Sequence, residues 1–164
     1  MTKNLTEEQL VIVHELTEVR SRLDLAAEEQ AKALRMLHSE VLRGLRCRLA
    51  PASDIASAIQ VPRNYVDQIR SRSDLPKVVR TERVTYSEPE RSDYLDDLRE
   101  ADNAYQDALD ATDLARQVRN RLISGVYYGK VLGPGRIAAA VGVDRNHIHR
   151  IANAHKALLS GSVA

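Results

Sequence analysis

The sequence is short of the residues that stack and punctuate. It has no Trp and no Phe, one Cys, five Pro and seven Gly in 164 residues. Without large rings, a core must come from Ala, Leu, Val and Ile, which suits helices packed closely together. The Ala-, Leu-, Glu- and Arg-rich remainder leans toward long helices or coiled coil. A lone Cys47 excludes an internal disulfide and points to a reducing, cytoplasmic setting. No run of about 18 apolar residues occurs, so no membrane span is expected. The start, MTKNLTEEQ, lacks the basic-then-apolar pattern of a signal segment. Net charge is nearly absent too: 24 basic residues balance 23 acidic ones.

What is present is repetition. Residues 55–69 read IASAIQVPRNYVDQI and residues 137–151 read IAAAVGVDRNHIHRI, 82 positions further on without a gap. Ile55, Ala56, Ala58, Val61, Arg63, Asn64 and Ile69 recur as Ile137, Ala138, Ala140, Val143, Arg145, Asn146 and Ile151. Internal repetition of this kind sets the architecture. Charge repeats with it. Glu7 to Glu29 is net −5 and Arg43 to Arg72 net +4, then Glu88 to Asp113 is net −8 and Arg116 to Lys156 net +7. Overall balance thus conceals two basic patches, and a patch is what attracts phosphate. Helix-dipole bias accounts for part of this polarity, but not for bases that continue through further helices.

Periodicity predicts an all-α protein of two repeated units, each a long helix followed by two short ones. Residues 6–49 read as one helix, with Thr6 to Gln9 as a capping box. Its apolar positions are Leu16, Val19, Leu23, Ala26, Ala33, Leu37, Val41, Leu45 and Leu49. At about 44 residues it would run about 65 Å, too long to stand alone, and Pro51 ends or bends it. Residues 92–129 repeat the theme from a plausible N-cap at Ser92. The stripe there is Leu95, Leu98, Ala101, Tyr105, Ala108, Thr112, Ala115, Val118 and Leu122, broken by the Gly129–Arg136 stretch. The expected divisions are 1–72, a linker or small wing at 73–91 around alternating Val78, Arg80, Glu82, Val84 and Tyr86, and 92–164, whose tail after His155 looks frayed. The two long helices are expected to pair as a helical hairpin or coiled coil. Their acidic starts and basic ends favour antiparallel pairing, with the reading heads at opposite ends. In a parallel pairing the connection could just span the return at ~3.3 Å per residue. A homodimer through the same stripes is equally compatible with heptad-like seams.

The repeated segments have the spacing of a helix-turn-helix. The first short helix needs a small residue where the second crosses it, met by Ala56 and Ala138. The turn favours Gly, met by Gly142, whereas Gln60 stands there in the first copy and can still work if the turn is wider. Val66, Ile69, Ile148 and Ile151 face inward. Asp144 suits an N-cap, and Pro62 is tolerable at a first helical position.

Over roughly residues 49–71 and 131–153 the chain resembles the helix-turn-helix modules of bacterial and phage DNA-binding regulators, including those related to sigma-factor region 4. The resemblance implies that the second short helix enters the major groove with its first turns at base edges. Carried over, the base-reading positions are Arg63, Asn64, Asp67 and Gln68, then Arg145, Asn146, His149 and Arg150. Arg suits guanine and Asn or Gln suits adenine. Asp67 repels phosphate but can accept from cytosine N4. Arg43, Arg46, Arg48, Arg70, Arg72, Arg136 and Lys156 would contact phosphates and fix register.

Other constellations carry less. His147 and His149 are two apart and point to different faces of a helix, so no metal and no cofactor are expected. His14 and His38 read as isolated surface residues. Arg46 and Arg48 flank Cys47 and could activate it, though a partly buried, inert thiol is the plainer reading. Gly133-Pro134-Gly135 lacks the ending of a phosphate loop, and no nucleophile–base–orienter set is visible, so an enzyme is not expected. The expected function is a sequence-specific double-stranded DNA-binding protein, a transcriptional regulator associated with the nucleoid that reads a two-part site. The alternatives are a helical interaction protein binding a polymerase subunit or another regulator, and a DNA packaging or partition factor.

Overall fold

The computed structural model describes residues 5–75 and 85–161, the last five of these as backbone only. Every regular element among them is helical: α1 (Glu7–Arg46), α2 (Ala52–Ala58), α3 (Arg63–Ser71), α4 (Glu88–Tyr128), α5 (Pro134–Val141) and α6 (Arg145–Gly161). The wing or linker residues Val78, Arg80, Glu82 and Val84 lie outside the described residues, as do the last three of the tail. The expected fraying gives way to helix as far as Gly161.

The capping box starts α1 as its sequence requires. The Gln9 N–H donates to Thr6 Oγ1 at 3.2 Å and the Thr6 N–H to Gln9 Oε1 at 3.3 Å. The Gln9 amide then donates to the Val131 carbonyl at 2.9 Å, tying this end of α1 to the chain just before α5. The far end of α1 falls at Arg46, ahead of Pro51. Arg48 turns left-handed, with φ +54°, and the Leu49 N–H closes onto Gly44 O at 3.0 Å. The end of α4 has the same construction: Lys130 has φ +56° and the Val131 N–H reaches Val126 O at 3.3 Å.

The start of α4 corrects the sequence reading. Ser92 is not its cap; the helix begins four residues earlier, at Glu88. Pro89 sits in the first turn, where its missing N–H has no partner to lose, and Glu88 and Glu90 face the positive end of the helix dipole.

Contacts divide the chain into two compact units, named here for their place in the sequence. The terminal unit joins Met1–Glu28 to Asp110–Ala164, and the central unit is Glu29–Leu109. The contact units therefore cut across the sequence divisions at 1–72 and 92–164, because each takes part of both long helices. In the central unit, Leu37, Val41 and Leu45 near the end of α1 pack with Tyr94 and Leu98 near the start of α4. Over them close Ile55, Ala56 and Ile59 of the α2 region with Val66 and Ile69 of α3. In the terminal unit, Leu16 near the start of α1 packs with Ile123 and Val126 near the end of α4. These are closed over by Leu132, Ile137, Ala138 and Val141, with Ile148 and Ile151 of α6. Leu16, Val41, Ile55, Val66, Leu98, Ile123, Ile137 and Ile148 have no exposed surface at all.

The inward row of α4 departs from expectation at one place. Val118 is 47% exposed, whereas Arg119 is half-buried. Steps of three and four from Thr112 through Ala115 lead to Arg119 and Ile123, and Val118 falls one residue off that row. Burial lowers the Arg119 pKa, as does neighbouring Arg116, with Asp24 acting in the opposite sense. Thr112 is 2% exposed and donates its hydroxyl to Ala26 O at 3.1 Å.

Both turns between short helices use a left-handed residue. Gly142 takes φ +71° and Gln60, 82 positions earlier, takes φ +52°. The following N–H groups close the same bond, Val143 onto Ala138 O at 3.1 Å and Val61 onto Ala56 O at 3.0 Å. Gln60 is thus not accommodated by a wider turn; it accepts the conformation that glycine adopts without a Cβ penalty. Pro62 stands at the cap position of α3, with φ −62° and ψ 142°, and offers no side-chain bond.

Three stability outcomes follow from these turns and from Gly44. Gln60→Gly should raise stability by about 0.5–1 kcal/mol and Gly142→Ala should lower it by about 1–2 kcal/mol in denaturant melts. Equal effects of one sign would contradict the shared turn geometry. A Cβ added at Gly44 would collide with the buried ring and hydroxyl of Tyr94, which itself donates to Glu40 O at 3.1 Å. Gly44→Ala should therefore cost about 1–3 kcal/mol as overpacking, and the loss should shrink in a Tyr94→Leu background, a coupling that a double-mutant cycle reads directly.

Candidate nucleic-acid interface

The candidate surface is the outer side of α3 and of α6. Each helix is anchored by its inner side: Val66 and Ile69 are 0% and 7% exposed, and Ile148 and Ile151 are 0% and 8%. With the inner positions fixed, the first turns face outward. Arg63, Asn64, Asp67 and Gln68 on α3 are exposed, as are Arg145, Asn146 and Arg150 on α6.

The eighth candidate differs. His149 is half-buried, with its Nδ1 2.9 Å from Tyr127 Oη and its ring edge-on to the Tyr127 ring at 5.5 Å between centroids. It joins α6 to the end of α4 rather than standing free. A counterpart in the central unit is His38, half-buried on α1, whose Nε2 lies 2.9 Å from Tyr65 Oη on α3. His38 is therefore not an isolated surface residue. Burial, and next Arg72, hold its pKa below the usual histidine value, while burial raises that of Tyr65. His14 is the open one, with 76% of its side chain exposed near Glu18. Cys47 is exposed rather than partly buried.

Asp144 caps α6, its Oδ1 accepting the His147 N–H at 2.9 Å. That bond, with a second from the Asn146 N–H, holds the carboxyl below the ordinary carboxylate range. Arg145 makes no side-chain hydrogen bond or ion pair among the described residues. It lines an open groove of about 670 Å³ with Arg136, Gly133, Pro134, Gly135 and Gln9, so two guanidinium groups border one concavity beside the start of α5. On α3 the matching arginine has company: Arg63 Nε lies 3.9 Å from Asp67 Oδ2, and both side chains are more than half exposed.

The expected phosphate contacts fall into two groups. Arg46, Arg48, Arg72, Arg136 and Lys156 are exposed, Lys156 standing 5.8 Å over the Tyr128 ring. Arg43 is engaged within the central unit, and Arg70 is partly enclosed there. Arg43 donates to Glu40 at 2.7 Å and to Asp97 at 3.0 Å, and it lies over the Tyr94 ring at 5.1 Å. The hydrogen bond to Glu40 is the main reason that its pKa is raised. Arg70 is half-buried, and its Nε is enclosed without a hydrogen-bond partner among the described residues. Sequence reasoning missed Tyr127, Tyr65 and Tyr94 as the residues that position this surface. A tyrosine and a histidine on separate helices of one unit were the available signal, but their pairing requires the fold.

Among the described residues, no group of three His, Cys, Asp or Glu is placed to hold a metal ion, and no helix is long and apolar enough to cross a membrane. Comparison of the chain with family models, curated proteins and solved structures returned no match.

The cap at Asp144 carries a pH dependence of definite sign. Its carboxyl is depressed in the folded state, so its contribution is complete above the ordinary aspartate pKa and is lost as pH falls through the folded value. Asp144→Ala should lower Tm at neutral pH and flatten the acid limb of the Tm–pH profile. Asp144→Asn should keep most of the neutral-pH Tm, since asparagine caps nearly as well, while also flattening the acid limb. An unchanged acid limb in both variants would remove Asp144 from the account.

Proposed function

We propose that the chain is a sequence-specific double-stranded DNA-binding protein, a transcriptional regulator with two helix-turn-helix corners that reads a two-part site. In this reading α2–α3 and α5–α6 are two copies of one reading head, each mounted on the paired long helices. The observation that supports it most is the outer face of α6. Arg145, Asn146 and Arg150 stand exposed on a helix whose inner face is locked by Ile148 and Ile151, and Arg136 borders the groove beside Arg145. Arg and Asn in the first turn of such a helix can reach guanine and adenine edges in the major groove, while Arg136 and Lys156 contact phosphate. The exposed Arg63, Asn64 and Gln68 give α3 a similar face.

A second reading, a helical protein that binds another protein or assembles with itself, is favoured by a different observation. Leu25 is 59% exposed on α1, and Leu114 and Val118 are 62% and 47% exposed on α4. A packaging or partition factor would combine that surface with DNA binding, and its solution mass would correspond to a large assembly.

Fluorescence anisotropy on a selected duplex and on mixed-sequence DNA, across a salt series, tests the main reading. Affinity should fall steeply and log-linearly with salt. Arg145→Ala should cost about 1–3 kcal/mol on the selected duplex and relax its preference at one position. Equal weakening on every duplex would make Arg145 a phosphate contact. Salt-insensitive retention of a protein partner, with no DNA binding by the intact chain, would transfer the function to the long helices.

A further inference from the structure

The faces of α3 and α6 differ in one chemical respect that bears on what each would recognise. In both, the arginine of the first turn is followed four residues later by a polar group. On α6 that group is His149, which is drawn aside to Tyr127 Oη at 2.9 Å. The face left open carries Arg145, Asn146, Arg150, Asn153 and Lys156, all exposed and none acidic. On α3 the group is Asp67, exposed and 3.9 Å from Arg63 Nε. An exposed pair of this kind adds little to stability, so its consequence lies in what it presents. A carboxylate on a reading face repels every phosphate that approaches and accepts well from one base edge, the amino group of cytosine. It also stands within ion-pair reach of the Arg63 guanidinium on the same face, so a base step that takes both groups meets an acceptor and a donor together.

Resting on the DNA-binding reading above, we propose that the two heads divide the work, α6 supplying affinity and α3 discrimination, with Asp67 as the specificity-determining residue that selects a C·G-containing step in the half-site under α3. Asp67 acts on the base pair by accepting from cytosine N4, with Arg63 beside it on the same face.

Site selection from a random duplex library, followed by sequencing, tests this with the intact chain as wild type, Asp67→Asn and Asp67→Ala. Anisotropy on a mixed-sequence duplex accompanies it. Asp67 is exposed on its helix, and matched circular dichroism melts for the near-isosteric Asp67→Asn separate a recognition effect from loss of fold. Both variants should bind mixed-sequence DNA several-fold more tightly. The C·G preference should fall by about fivefold or more in one half of the selected site, with the other half unchanged. An unchanged selected site in both variants, or loss of preference in both halves alike, overturns the division of labour and leaves DNA binding standing. A wild-type chain that enriches no site overturns both.

Discussion

Neither pair of short helices can bury its own apolar face. α2 and α3 span seven and nine residues, and Ile55 and Val66 reach zero exposure in a core that also takes Val41 and Leu45 from one long helix and Tyr94 and Leu98 from the other. α5 and α6 depend in the same way on Leu16, Ile123 and Val126. This requirement explains why the compact unit is not the sequence repeat. A corner needs two walls, and each long helix supplies a wall at one place and the approach to a corner at another. It also explains the residue types. With no Trp or Phe to fill space, close approach is made by Ala56 and Ala138 at the crossings and by Gly44 beneath Tyr94. Tyr94 is the one large ring enclosed in the central core, and its hydroxyl is satisfied by a helix carbonyl rather than left bare.

Acidic and basic runs that cancel in the total are partly spent on each other. Arg91 is bonded to Asp54 and to Glu88, Arg43 to Glu40 and Asp97, and Arg99 and Arg116 each meet an aspartate three residues before them. Most of these side chains are well exposed, and such pairs contribute about 0–1 kcal/mol each. Their larger effect is on the field. A basic run whose members are internally answered presents less positive surface than its count suggests. The cations that remain outward, among them Arg145, Arg150, Arg72 and Arg46, are therefore a better guide to an anionic partner than the run totals. Positive charge is therefore local on this protein, which is not basic overall.

The α-helical class, the capping box at Thr6 and the inward positions of both corners were legible in the sequence, because each depends on local spacing and a single physical rule. Gly142 was legible for the same reason. The misses share a different cause. Ser92 resembles a cap because serine is a good N-cap residue, while Pro89, which reads as a breaker, is equally suited to the first turn of a helix. Val118 resembled a core position because a stripe of fours and threes can be drawn through it, and only the partner helix decides that Arg119 and Ile123 hold the row. Gln60 shows that a turn can impose left-handed backbone on a residue that does not favour it when flanking burial is strong. His38 and His149 depart from expectation because exposure of a side chain on a helix edge is set by the neighbouring helix, about which spacing is silent; Cys47 departs because it lies in the turn just past the end of α1.

His149 also shows how one wall residue can decide the character of an outer helix face. The residue four after the leading arginine sits at the border between inward and outward sides, beside Ile148 and Ala152 on α6 and beside Val66 on α3. On α6 the wall offers Tyr127, whose hydroxyl gives the histidine a partner and draws it inward. The position 82 residues earlier in the other wall is Leu45, 9% exposed and with nothing to donate. On α3 the carboxylate of Asp67 is exposed, 3.9 Å from Arg63 Nε. The two outer faces thus differ by the Asp/His exchange on the faces themselves and, on α6, by the tyrosine that holds the histidine aside. A border position on a short helix is chemically free to face either way, and the wall behind it makes the choice.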